Sequence, residues 1–375
     1  MKLGTLRVVL AVAPALLAAC GGAATDDLAR ATPSFDSMSM DISDLDAQEP
    51  GTSTALTIED PAAPDLSAPD GCHPHLFVRT HDIVEATNAA VWHILRPIGL
   101  AGRIAPRHHN RRTGVWERVI DGFTFRYTVD KTGDQSFTAV LDVKHAADPD
   151  TAFVVVYSAT LERDPSTHDG SGNATLDLDA LNSVTGDGAT GKLVLSFDAE
   201  TASKKVIATM TNLSSHGERP RTGKYVFFKE AGKGGSLKFV DTLALGCPGP
   251  GGSATGTTPV SAVARFVLTT SGQVHFRADA EATGGQIAAG DKWEGVTCAQ
   301  SADRRQHPSE SFWMMKLEDP TGATVQGSSR QSSGTTAAAC DAAFGPVPAV
   351  DNAATDFDFG TVDFASDDPL PFPGM

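Results

Sequence analysis

The sequence carries no signature of the common enzyme chemistries. It has no Gly-x-Ser-x-Gly turn for a serine nucleophile, no His-Glu-x-x-His for zinc, no phosphate-binding loop with its lysine, and no Gly-x-Gly-x-x-Gly opening a helix. Asp169-Gly170-Ser171-Gly172 is close in composition to a nucleophile elbow, but it reads as a turn between strands rather than between strand and helix. No residue is left to carry catalysis, so the chain is expected to be no enzyme and to use no cofactor and no metal. Positive charge is also missing from both flanks. Residues 21–70 hold eleven Asp and Glu against Arg30 alone, and residues 341–375 hold seven Asp with no Lys or Arg. The net charge of -16 therefore belongs to the ends, and residues 71–340 come to about -1. A near-neutral body between acidic flanks argues against nucleic-acid binding, which needs a positive field to displace counterions.

The amino terminus also lacks a membrane-spanning run. Lys2 and Arg7 give a basic start, and Val8 to Leu17 is a ten-residue apolar stretch interrupted by Pro14. That is too short to cross a bilayer as a helix and has the proportions of a signal-peptide core. It ends in Leu17-Ala18-Ala19-Cys20. This resembles the lipobox of bacterial lipoproteins: an apolar residue, two small residues that admit the peptidase, then the cysteine that accepts lipid. The resemblance implies that residues 1–19 are a removed signal peptide and that Cys20 becomes the acylated amino terminus. Several acyl chains at about 0.8 kcal/mol per buried CH2 anchor stably where one is marginal. The partner implied is a membrane, reached through lipid on Cys20. Gly21 stands where enterobacterial lipoproteins retained at the inner membrane carry aspartate, so the resemblance favours the outer membrane.

Residues 20–70 have almost no aromatic side chain besides Phe35 and are expected as a lipidated, disordered acidic tether reaching roughly 40 Å. A helix is expected from Ile83 to Leu95, capped by Asp82 and ended by Arg96-Pro97. It is apolar over most of its girth, with Glu85 and Asn88 as a polar edge. From Val115 onward the period changes to two. Phe123, Phe125, Tyr127 and Val129 alternate with Thr124, Arg126 and Thr128; Leu193, Leu195 and Phe197 repeat the pattern, as do Val206, Ala208 and Met210, and Val274, Phe276 and Ala278. Turn residues separate these runs, at 131–134, 169–172, 186–188 and 232–235. The expected fold is mainly β: a long antiparallel curved sheet or half-barrel with one packed N-terminal helix. A helix plus β domain is placed at 71–247 and a Gly-Pro-Ser-Thr linker at 248–259. Residues 260–365 form a β extension or a second small β domain, with an acid–aromatic last strand, and 366–375 a tail.

With Cys20 lipidated, four cysteines remain for an oxidising compartment: Cys72, Cys247, Cys298 and Cys340. Three pairings are open, of which Cys72–Cys247 and Cys298–Cys340 are preferred. Closing a loop of about 40 residues stabilises by roughly 3–4 kcal/mol in the chain-entropy treatment. Cys72-His73-Pro74-His75 has no second cluster at zinc spacing. Arg103, Arg107, His108, His109, Arg111 and Arg112 form a basic stretch that reads as a solvated loop, or as a receiver of anionic groups. His275, Arg277 and Asp279 share a strand face and read as a solvent face. Asp164, Asp169, Asp177 and Asp179 surround a Gly-Ser turn, but Ala174 and Ala180 break the calcium-loop pattern.

A helix followed by a long antiparallel meander is similar to periplasmic lipoprotein-carrier half-barrels, and to β-rich lipoproteins of high-GC bacteria. The functional expectation is an envelope lipoprotein of binding or structural type. Two alternatives stand beside it: a carrier of a hydrophobic ligand, and a hydrolase of an envelope polymer. The ligand expected is hydrophobic or anionic.

Overall fold

The computed structural model describes residues 28, 31, 34–40, 76–101, 106–163, 170–200, 202–214, 220–243, 258–268, 274–285, 287–301, 309–331 and 362–370. Three α-helices are present among them: α1 (Phe35–Met38), α2 (Leu76–Ala101) and α3 (Leu178–Thr185). The strands are β1 (His108–His109), β2 (Thr113–Ile120), β3 (Phe123–Lys131), β4 (Ser136–His145), β5 (Val154–Arg163), β6 (Gly170–Asp177), β7 (Thr190–Ala199) and β8 (Ser203–Ser214). They continue as β9 (Arg221–Glu230), β10 (Gly234–Leu243), β11 (Thr258–Leu268), β12 (Val274–Ala282), β13 (Lys292–Ser301), β14 (Ser309–Glu318) and β15 (Thr324–Gln331). Each strand pairs with its sequence neighbours, in the order β1 to β15, in one antiparallel sheet. The sheet is curved and does not close on itself. The mainly β architecture expected from period-two patterning is therefore the architecture found.

Alternation explains the strands. β7 buries Leu193, Leu195 and Phe197 and leaves Lys192, Val194 and Asp198 outside. Register then aligns one core face across strands, as in Tyr157, Leu176, Leu193 and Met210 on β5 to β8. Sharp hairpins set that register. Between β2 and β3 the turn is Asp121-Gly122 at φ 51° and 85°, the two left-handed positions that a two-residue hairpin matched to strand twist requires. All three tyrosines of the protein, Tyr127, Tyr157 and Tyr225, lie on the core face and are buried.

Helix α2 fills the concave side. Ile83, Val91 and Ile94 are 0% exposed, and burial of each such side chain contributes about 1.5–3 kcal/mol. The helix touches β2, β3 and β6 on one side and β12 and β13 on the other, so the sheet curls around it. Phe77 meets Phe276 of β12 edge to face at 4.8 Å. The helix is longer at both ends than the Ile83–Leu95 reading. Asp82 lies inside it rather than capping it, and Pro97 lies inside it rather than ending it. Proline removes one N–H bond, but Ile98 beyond it is 2% exposed, and packing of that turn outweighs the loss.

Three further expectations change. Within the expected tether, Ser34 caps α1 through its Oγ, and Met38 and Met40 are 0% exposed. Asn88 of α2 accepts from the Met40 amide at 2.8 Å and donates to its carbonyl at 2.9 Å; this stretch packs on the body because it carries apolar side chains that α2 can cover. Of the two alternatives for 260–365, the β extension is the one found: β10 and β11 pair over ten residues, and the linker ends earlier than 259, since Thr258 and Pro259 already belong to β11. At the carboxyl end, Asp356 to Phe359 of the expected last strand lie outside the described residues, and Val362–Leu370 forms no strand; Leu370 is buried, and Val263, Val362 and Phe364 pack with it. The tail boundary at 366 therefore falls inside a packed segment.

Candidate binding groove on the outer face

The outer face of the sheet is the one opposite α2, and register builds two rows of small polar side chains on it. Thr138, Thr160, Asn173 and Ser196 are cross-strand neighbours on β4, β5, β6 and β7, followed by Ile207 on β8. One step along, Ser136, Glu162, Ser171, Asp198 and Lys205 stand in the same relation. These rows line a groove of about 490 Å³, with Thr132 at its end. Between the rows along the strands come Phe137, Leu161, Gly172 and Phe197, which belong to the core face, so their backbone forms the floor. Gly172 is required there: an added Cβ would meet the Thr160 carbonyl at 2.7 Å and the Phe197 ring at 2.9 Å. Thr160, Glu162, Asn173 and Asp198 are exposed, and the remaining outward residues are half-buried. The groove holds two carboxylates and one lysine.

Over β10 to β13 the same face is different. Lys238, Arg265, Arg277, Asp279 and Glu294 are all buried, Asp279 at 0%. Arg277 reaches Asp279 through Nε at 2.9 Å and Nη2 at 2.7 Å, a charge-assisted pair. Arg265 Nη1 stands 3.9 Å from the same carboxylate. Burial pulls the Arg265 pKa down to about 10 against the opposing pull of Asp279. Segment 362–370 lies over its near edge, on β9 to β11. Lys238 donates to the carbonyls of Asp363, Ser366 and Asp368 at 2.7, 3.0 and 2.8 Å. Lys224 donates to the Ala365 carbonyl and pairs with Asp367, both at 2.6 Å, which holds the Asp367 carboxyl below its ordinary range. Burial lowers the pKa of Lys238.

These positions settle several sequence readings. His275, Arg277 and Asp279 are not a solvent face; Arg277 and Asp279 are buried and bonded to each other, and His275 is half-buried, its pKa lowered by desolvation. Of the four aspartates around the Gly-Ser turn, the two described ones are engaged elsewhere. Asp177 caps α3 by accepting from the Ala180 amide at 2.9 Å and pairs with Lys192 at 2.8 Å. Asp179 accepts from the Gly191 amide, and Asp164 and Asp169 lie outside the described residues. Gly170, Ser171 and Gly172 are strand β6 rather than a turn. Of the basic stretch, Arg103 lies outside the described residues. His108 and His109 form the two-residue edge strand, and Arg107 pairs with Glu117. Short strands and charges at an edge oppose pairing with other chains.

Cys20, Cys72, Cys247 and Cys340 also lie outside the described residues, and Cys298 is buried on β13. No disulfide with both cysteines among the described residues is present. Among those residues no group of three or more His, Cys, Asp or Glu is placed to hold a metal ion. Sequence reasoning missed the groove rows. Each member reads as an ordinary outward position, and only register brings them together. It also missed α3, whose Asp177 cap and following Gly186 are a readable start and stop. Comparison with known protein families, with curated proteins and with solved structures found no match.

Proposed function

We propose that this protein is an envelope lipoprotein, anchored through lipid on Cys20 at the outer membrane, whose folded body binds a ligand without transforming it. The observation that carries the binding reading is the outer-face groove. Its polar side chains converge from five strands, and among the described residues no side-chain hydrogen bond engages Ser136, Thr138, Thr160, Ser171, Asn173 or Ser196. Their donors and acceptors are left to solvent or a ligand. A concave site of this size on a rigid scaffold is the ordinary setting for recognition. Glu162 and Asp198 both face water, not the desolvated setting of acid catalysis. On the concave side, α2 occupies the space that a carried acyl chain would need. The reading also includes the pairs Cys72–Cys247 and Cys298–Cys340; the burial of Cys298 on β13 fits a disulfide at that end.

Two experiments test the reading. Cells fed a palmitate analogue should label the wild-type protein, and Cys20→Ser should abolish the label; an unlabelled, soluble wild type overturns the anchor. A photo-crosslinking residue placed at Asn173 should capture an envelope component in intact cells, while the same residue at exposed Val155 should not. Equal capture at both positions, or none at Asn173, overturns the groove as the ligand face.

A further inference from the structure

We infer that the groove takes a neutral, polyhydroxylated ligand, a short stretch of glycan, lying across β4 to β8. This rests on the reading that the groove is the ligand face and names the class that fits it. Three features decide the class. The first is charge: Glu162 and Asp198 against Lys205 leave the groove at about -1, so an anionic ligand meets repulsion. The second is backbone. β5, β6 and β7 are each paired on both sides, which leaves no free edge for a peptide to join as a strand and leaves recognition to side chains. The third is the side-chain inventory. Hydroxyls and one amide donate and accept, and two carboxylates accept, the complement that ring hydroxyls need, while an apolar ligand would strand them all.

Geometry agrees. Strands stand about 4.8 Å apart, so the row from Thr138 to Ile207 spans roughly 19 Å. That repeats a polar group at a regular interval along the direction of an extended ligand. Ile207 and the methyls of Thr138 and Thr160 give the apolar contacts on which the C–H face of a sugar ring rests. Bound at Thr160 and Asn173, the ligand would bond to Ser171 and Asp198 from its other edge.

The test uses the purified acylated full chain in detergent on an array of neutral oligosaccharides (glucans, mannans, chitooligosaccharides), with uronic-acid oligosaccharides and phosphatidylglycerol vesicles as the other probes. The expected result is retention of at least one neutral glycan, weakened tenfold or more by Asn173→Ala and abolished by Thr160→Trp, which fills the groove. Val155→Thr should leave it unchanged. Both groove variants are at exposed positions, and unchanged thermal melting verifies that they fold. Retention of no neutral glycan, or retention indifferent to both variants, overturns the inference. Groove-dependent retention of uronic-acid chains or vesicles also overturns the ligand class, yet leaves the groove as the binding face. Indifference of every probe to both variants removes the groove from either role.

Discussion

The outer face over β4 to β8 and the outer face over β10 to β13 are built by the same rule and serve opposite ends. Both consist of every second residue of a paired antiparallel strand. Over β4 to β8 these residues are mostly small and polar, and exposed or half-buried. Over β10 to β13 they are long and charged, yet Asp279 is 0% and Arg265 1% exposed. One difference is the cover: segment 362–370 lies on Lys238 and Val263 of the second region and, among the described residues, makes no such contact with the first. Charged residues lie buried there because they bond to one another and, through Lys238, to the carbonyls of the covering segment. Charge alone does not mark a surface, and the weakly charged part of this face is the one that stays open to water.

Breaking the charged region should have the largest effect. Asp279→Ala leaves two buried guanidiniums without their carboxylate and should cost about 3–5 kcal/mol of stability in chemical denaturation. Arg265→Met, Arg277→Leu and Asp279→Leu together should recover most of that loss, since an apolar replacement removes the charges that need pairing. A triple variant no better than the single one would show that the region needs its ions. Next in size, Lys238→Ala removes three bonds to segment 362–370 and should cost about 2 kcal/mol, with faster amide exchange over Phe364 to Asp368. The groove should be far less sensitive: Thr138→Ala or Asn173→Ala should shift stability by no more than about 0.5 kcal/mol. Matching losses in the two regions would erase the contrast.

The smallest effect concerns pH. His275 has its pKa lowered from 6.5 by burial, so the unfolded chain takes up the proton more readily than the folded one. Stability should therefore fall as pH drops below about 6.5, through the window down to the depressed folded value, and hold above it. His275→Gln should flatten that slope in melting curves recorded from pH 7 downward; an unchanged slope assigns it to other groups.

Much of the fold is readable from the residues. The alternation of Phe123 to Val129, of Leu193 to Phe197 and of Val274 to Ala278 names both the strands and their core face, and the meander follows from turns without helical spacers. Less is readable where tertiary packing overrides local preference. Pro97 marks a helix end by its own chemistry, but buried Ile98 carries the helix past it. Arg277 and Asp279 look like solvent residues because nothing within β12 reveals that they are buried and bonded to each other, with Arg265 of β11 beside them. Thr160, Asn173 and Ser196 are far apart in the chain and become neighbours only through the lengths of the hairpins between them.

Helix α2 gives the chain a schedule. Strand pairing runs from neighbour to neighbour, so each hairpin can close as soon as its second strand is available, with little loop entropy to overcome. The helix precedes every strand, yet it is finished only by β12 and β13. Until those strands arrive, the side of α2 they cover stays apolar and uncovered, a surface that a holding chaperone would recognise. A helix made before any strand is thus the last element sealed, and truncation after β10 should leave a chain that pairs its strands but remains dependent on such a holder.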